Sequence, residues 1–331
     1  MSDSIESMYR AMCRFARQLL FVALSGMAPT SVWAERPIEV TRVAENVYAF
    51  VGVNAEIAQE NRGFVGNSGF LVGSTGVVVV NTGISAMHGR RMLAAIARVT
   101  DRPVVLVIIT HAIQEFLFGN AAFEERGIPI LAHEETEKLM RARCEHCLQA
   151  LLPLLGDELR GTRLVLPGTR ISIGGPLEAG GRKLEILHFG WASTPGDIAV
   201  LDRESGTLFS GGLVATGRIP EIRDADFDGW QRALQALRKL PVRHLVPGYG
   251  PISGPQAIAG TQDYLLALDH RIRDLYGKNT SLIETLEAAE LPAFANRAMY
   301  TQIHRRNVQH RYLQLEIEDL GGDPRSTALP Q

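Results

Sequence analysis

Between residues 38 and 83, apolar positions either alternate with polar ones or run unbroken in short blocks, and Gly, Asn or Ser closes each block. That pattern predicts strands within residues 38–51, with Val-Tyr-Ala-Phe-Val at 47–51 the clearest, then at 67–72 and 77–80 across a glycine-bearing turn. Residues 87–99 switch to helical spacing, and 104–109 (Val-Val-Leu-Val-Ile-Ile) read as a strand buried on both faces. A helix starts near 118–123, and a longer one spans 134–155. Short strands follow at 163–166, 170–173, 184–187, 198–201 and 207–210, then a helix at 227–240 and a strand at 244–246. The rest is helical, at 257–276, 281–289 and 300–320, and residues 321–331 read as a disordered tail. Sheet-then-helix order thus occurs twice, as in an α/β sandwich of four layers.

Composition narrows the function classes. With 331 residues, 46% of them hydrophobic, the chain can bury one large core. Lys and Arg total 34 against 36 Asp and Glu, a net charge of −2, so no electrostatic footprint for nucleic acid is present. Residues 1–34 read as a signal peptide: Arg10, Arg14 and Arg17 precede an apolar stretch at 19–28, and Val-Trp-Ala at 32–34 suits cleavage before Glu35. Asp3 and Glu6 are unusual there, and initiation at Met8 or Met12 would give a cleaner signal. The stretch is shorter than the roughly 20 apolar residues of a membrane span, so a periplasmic or secreted protein without a span is expected. Cleavage would leave Cys144 and Cys147 in an oxidising compartment. Three readings are open for this helical Cys-x-x-Cys: a structural disulfide, redox chemistry, or free thiols. Leu148 after the second cysteine excludes haem attachment.

The candidate chemistry begins at residues 110–120 (Thr-His-Ala-Ile-Gln-Glu-Phe-Leu-Phe-Gly-Asn), where a buried strand delivers His111 to its end. Other loops have comparable punctuation: Asn-Thr-Gly at 81–83, Leu-His-Phe-Gly-Trp-Ala-Ser-Thr-Pro-Gly-Asp at 187–197, Phe-Ser-Gly-Gly at 209–212 and Pro-Gly-Tyr-Gly at 247–250. In order and spacing these resemble the five loops of the metallo-β-lactamase superfamily over residues 37–255. The resemblance implies a four-layer αββα sandwich at 35–255, with a helical extension at 256–320. The extension is also similar to that of exported relay-type zinc metallohydrolases found beside quinoprotein dehydrogenases.

The superfamily's second loop reads His-x-His-x-Asp-His; the matching positions here are His111, Ile113, Glu115 and Phe116. Its other ligands match Ser193, Gly212 and Tyr249, and Asn81 replaces the Asp of the first motif. The framework residues Thr194, Asp197 and Pro247 remain. A catalytic zinc takes about three protein ligands and an open water position. His111 and Glu115 are two at best, and no resident metal is expected. Without zinc, the pKa of water stays near ~15.7 instead of ~7, a loss on the order of 12 kcal/mol in forming hydroxide at neutral pH.

The leading expectation is therefore a non-hydrolytic binding or accessory protein that takes a small-molecule or protein ligand, linked to quinoprotein oxidation systems. A hydrolase rebuilt around His111, Glu115 and Asp197, with zinc as its cofactor, is the alternative. A thiol-redox accessory protein using Cys144 and Cys147 is a second. Ser193, His188 and Asp197 have the residue types of an acyl-transfer triad, although they are close in sequence and two belong to the family framework. Phe116, Trp191 and Tyr249 would either wall a flat ligand pocket, with Ile113, Ser193 and Gly212 lining it and Arg218, Glu115 or His111 as polar anchors, or simply fill volume. His88, His133, His244 and His270 lack ligand spacing and read as structural.

Overall fold

Four consecutive valines set the centre of the first sheet. Along β4 (Val77–Val80) every residue is buried, yet the side chains divide by the period of two: Val77 and Val79 join the core under the helices, and Val78 and Val80 the core between the sheets. In the computed structural model, which describes residues 37–327, β4 is the fourth strand of a seven-stranded sheet that runs in sequence order. Its other strands are β1 (Thr41–Ala44), β2 (Val47–Phe50), β3 (Ser68–Val72), β5 (Val104–Ile108), β6 (Ile130–His133) and β7 (Thr169–Ile171). The first four pair antiparallel and β4 through β7 pair parallel.

The second sheet has five strands in the order β12 (His244–Val246), β11 (Thr207–Phe209), β10 (Ile198–Asp202), β9 (Arg182–His188) and β8 (Gly175–Ala179). Leu71, Val78, Val80 and Ile108 of the first sheet meet Ile186, Ile198, Val200 and Phe209 of the second in one apolar layer. The outer face of the first sheet is covered by α1 (Ala86–Val99), α2 (Gln114–Leu117), α3 (Asn120–Glu124) and α4 (Glu134–Leu155). Ser85 caps α1 by accepting from the His88 amide.

On the second sheet lie α5 (Phe227–Arg238), α6 (Ala257–Gly277), α7 (Leu282–Ala288) and α8 (Tyr300–Asp319). Asp226 caps α5, and Ser281 with Glu284 forms a capping box at α7. One apolar cluster runs from Leu201, Leu208 and Leu245 of the sheet, through Trp230 and Leu234 of α5, to Leu265 and Leu268 of α6 and Ile303 and Val308 of α8. The C-terminal helices are thus part of the outer layer over that sheet.

The structure departs from the expected elements at a few places. Residues 163–166 form no strand; Val165 is buried there and its carbonyl accepts from Asn120. Two strands not expected, β6 and β8, are present. β6 is too short to separate from the helix that follows it, and β8 carries a glycine and a proline, tolerated because it is the edge of its sheet. The tail expected to be disordered forms a 3-10 turn at Pro324–Thr327, where Arg325 pairs with Asp323. The signal peptide expected over 1–34 and the last residues of the tail, 328–331, lie outside the described residues. Among the described residues no helix is long and apolar enough to cross a membrane.

Candidate functional site

The chain leaves β4 through Asn81, whose backbone is left-handed at φ 62°, a conformation that Asn tolerates better than most residues. There the Asn81 side chain faces the end of β5, and its oxygen accepts from the Thr110 amide at 3.0 Å and the Thr110 hydroxyl at 2.9 Å. Because that hydroxyl donates its hydrogen bond to Asn81, the contact between its oxygen and His111 Nδ1, 3.1 Å, requires Nδ1 to carry hydrogen. His111 therefore presents an unprotonated Nε2. Burial holds its pKa down to about 3, so the ring is neutral.

The positions that match the superfamily's ligands do converge on His111. A Cβ built on Gly212 would stand 2.7 Å from His111 Nε2 and 3.0 Å from Ser193 Oγ. Tyr249 donates its hydroxyl to Glu115 Oε1 at 2.7 Å, and Phe116 lies 4.3 Å from the His111 ring and 5.2 Å from the Tyr249 ring. What these positions carry does not suit zinc. Ile113, Phe116 and Gly212 offer no donor atom, and Glu115 is engaged by Tyr249. Among the described residues, no group of three or more His, Cys, Asp and Glu side chains could hold a metal ion.

The Glu115–Tyr249 pair has its own electrostatics. Burial, above all, raises the Glu115 pKa, opposed by the Tyr249 hydrogen bond. Burial likewise pushes the Tyr249 phenol well above its usual range. The second carboxyl oxygen of Glu115 is buried without a partner, and so is Arg218 Nη1. The Arg218 guanidinium lies 4.4 Å over the Tyr249 ring, so its charge is balanced by a π face and not by a carboxylate contact.

Ser193, Asp197 and His188 do not assemble into a triad. Asp197 accepts from the Thr194 amide and hydroxyl, both at 2.7 Å, and from the Ser193 hydroxyl at 2.8 Å. The Ser193 proton therefore points at a carboxylate. Burial lifts Asp197 to about 6 against those three bonds. His188 Nδ1 instead meets the Asp197 backbone carbonyl at 2.9 Å, and its ring stacks on His133 at 3.9 Å. The rebuilt hydrolase site is likewise divided, because Glu115 is held by Tyr249 and Asp197 staples its own loop.

Above His111 a cavity of about 40 Å³ is lined by Ile113, Ser193, Gly212 and Tyr249, and by Glu221, Arg223 and Asp224 from the loop at 217–225. This volume suits one or a few water-sized groups; drug-sized ligands need pockets of roughly 300 Å³ or more. Of the three aromatics, Tyr249 lines this cavity and Phe116 and Trp191 do not. Phe116 is fully buried behind His111, and Trp191 turns aside to donate its indole N–H to the Asp224 carbonyl at 2.7 Å. Phe116 fills volume behind His111, and Tyr249 stands between it and the cavity.

The loop over the cavity is the part that the sequence reading missed. The C-terminal helices hold it: Ala298 exchanges backbone hydrogen bonds with Gly217 and Ile219, and Asn307 donates to the Pro220 carbonyl at 2.8 Å and accepts from the Ile222 amide at 3.3 Å. Gln314 donates to the Ala225 carbonyl. The available signal was Asn307 itself, a polar residue on the buried stripe of α8 formed by Ile303, Val308 and Leu315. Opposite, Arg143 of α4 reaches Asp224 at 2.9 Å. The two cysteines of α4 are free thiols in this structure, Cys144 buried and Cys147 half-buried.

Comparisons with known proteins agree with this fold. Residues 61–249 match the family model described as the metallo-beta-lactamase superfamily. Among solved structures, a metallo-beta-lactamase from Pontibacter korlensis is 22% identical with a TM-score of 0.57, over 69% of this chain and 98% of its own. A metallo-beta-lactamase from Hirschia baltica is 20% identical with a TM-score of 0.55, over 70% of this chain and 98% of its own. At such identities the structural likeness speaks for the fold alone, while the family model spans more than half of the residues. The chain belongs to the metallo-beta-lactamase superfamily.

Proposed function

We propose that this protein is a non-hydrolytic member of its superfamily, a binding or accessory protein whose site at His111 takes a small hydrogen-bonding group without a metal. The observation that carries this reading is the Tyr249–Glu115 hydrogen bond. It joins two side chains from positions that match metal-ligand loops and satisfies them with each other. The neighbouring positions, Ile113, Phe116 and Gly212, add no ligand atom. Asp197, the remaining carboxylate of the rebuilt-hydrolase alternative, is committed to Ser193 and Thr194.

What the cavity offers is recognition chemistry. The bare Nε2 of His111 accepts a hydrogen bond, and Arg223 and Asp224 on the rim supply one charge of each sign. A partner's polar group reaching past the loop at 217–225 fits this better than a bicyclic substrate does. The signal-like residues 1–34 support a periplasmic or secreted location, and the helical extension supports work beside quinoprotein oxidation systems.

The test is turnover in the presence of added zinc. Purified protein and its His111→Ala variant are assayed with a chromogenic β-lactam and a simple activated ester. We expect both proteins to remain at the buffer rate for each substrate. Zinc-dependent turnover that disappears in His111→Ala would overturn the proposal.

A further inference from the structure

The motif that the site leaves unused is Cys-x-x-Cys. Cys144 and Cys147 occupy positions i and i+3 of α4, one above the other on the same helix face. Helical geometry separates such Cα atoms by about 5 Å, inside the window of roughly 4.4–6.8 Å that a disulfide spans. The two thiols differ in access. Cys144 is buried in the core under the first sheet, whereas Cys147 is only packed against its edge.

Two guanidinium groups from two elements stand near them, sharing the Asp224 carboxylate and opposed at Cys147 by Glu115. Arg143 precedes the first cysteine and pairs with Asp224 at 2.9 Å. Arg223, on the loop that roofs the cavity, pairs with the same Asp224 at 3.1 Å. Both guanidinium groups act on Cys147. The Cys144 thiol donates its hydrogen to the Cys147 sulfur, which is the main reason that Cys147 is brought down to about 7 despite its partial burial. The same bond and burial push Cys144 far up, so the proton stays on Cys144.

We infer that Cys147 and Cys144 form a thiol–disulfide exchange site: Cys147, half-buried beside Arg143 and Arg223, is the attacking sulfur, and Cys144, buried one helical turn away, is the resolving one. The co-reactant is a disulfide of a small thiol or of an exposed protein loop. The Cys147 thiolate attacks one sulfur, a new S–S bond forms, and the first thiolate leaves and takes a proton from solvent. Cys144 then loses its proton to water and attacks the Cys147 sulfur. The mixed S–S bond breaks, and the second thiolate leaves. The sum is one protein dithiol plus one disulfide giving one protein disulfide plus two thiols, with two electrons passed to the co-reactant. This chemistry needs no occupant in the cavity and does not depend on whether the superfamily site hydrolyses anything.

Oxidised glutathione is the probe, and intact mass is the readout. Reduced wild-type protein should pass through a mixed disulfide and end two mass units lighter, with no thiol left to alkylate. Cys144→Ser should stop at a lasting single glutathione adduct, and Cys147→Ser should stay unmodified under the same conditions. The rate for Cys144→Ser should rise with pH as the Cys147 thiol ionises. A wild-type protein that keeps both thiols, or that retains the adduct, would contradict the exchange site without needing either variant. Equal labelling of the two variants would contradict the assigned roles.

Discussion

At the scale of single residues, the informative pair is Tyr249 and Glu115. A carboxyl group that is buried, bonded through one oxygen and unpartnered at the other is easier to keep protonated than charged. Its raised pKa has a definite consequence for stability. The folded state holds a proton that the unfolded chain releases above its model value of 4.5, so the Glu115 contribution falls as pH rises from that value through the folded pKa. Glu115→Gln keeps an acceptor for the Tyr249 hydroxyl and has no charge to hide. We therefore expect Glu115→Gln to match wild type at pH 4 and to exceed it in urea midpoint at pH 7; a variant that is less stable at pH 7 than at pH 4, relative to wild type, contradicts this reading. The identities at the site were legible in the sequence because loop punctuation, such as Asn-Thr-Gly at 81–83 and Pro-Gly-Tyr-Gly at 247–250, marks these positions without help from contacts. What the residues do to each other was not legible. Whether Phe116 and Trp191 faced a ligand depended on rotamers and on a hydrogen bond to Asp224, which neither spacing nor composition encodes.

Among the elements, α8 and the loop at 217–225 work together. Ile219, Ile222 and Ala225 anchor the loop in the apolar cluster, and its carbonyl and amide groups at Pro220 and Ile222 are satisfied by one side chain, Asn307. Removing that partner leaves buried backbone groups unpaired, at about 1–3 kcal/mol. Asn307→Ala should lower stability by about that amount and speed hydrogen exchange at the Ile222 amide, while the amides of β4 keep their protection. Equal loss of protection in both places would mean that Asn307 supports the whole layer and not the loop. Long periodic elements were readable: α4 spans the expected residues, 134–155. Elements set by pairing were harder. β8 contains Gly175 and Pro176 and exists because β9 lies beside it, and the stretch at Val165 was apolar enough to resemble a strand but pairs with no neighbouring strand.

The whole molecule keeps the superfamily's architecture, and in the proposed reading its usual site chemistry has been replaced. The two sheets bury a common apolar layer, and the helices on both sides continue it outward. This frame brings His111, Ser193, Gly212 and Tyr249 together from loops far apart in sequence. Apolar burial in three clusters holds this frame. The central claim is that the convergence now serves hydrogen bonding and packing. It is tested most directly by zinc content, measured by inductively coupled plasma mass spectrometry on protein equilibrated with zinc and then passed over a desalting column. We predict far less than one equivalent per chain, unchanged by His111→Ala. About one retained equivalent that His111→Ala removes would contradict the account.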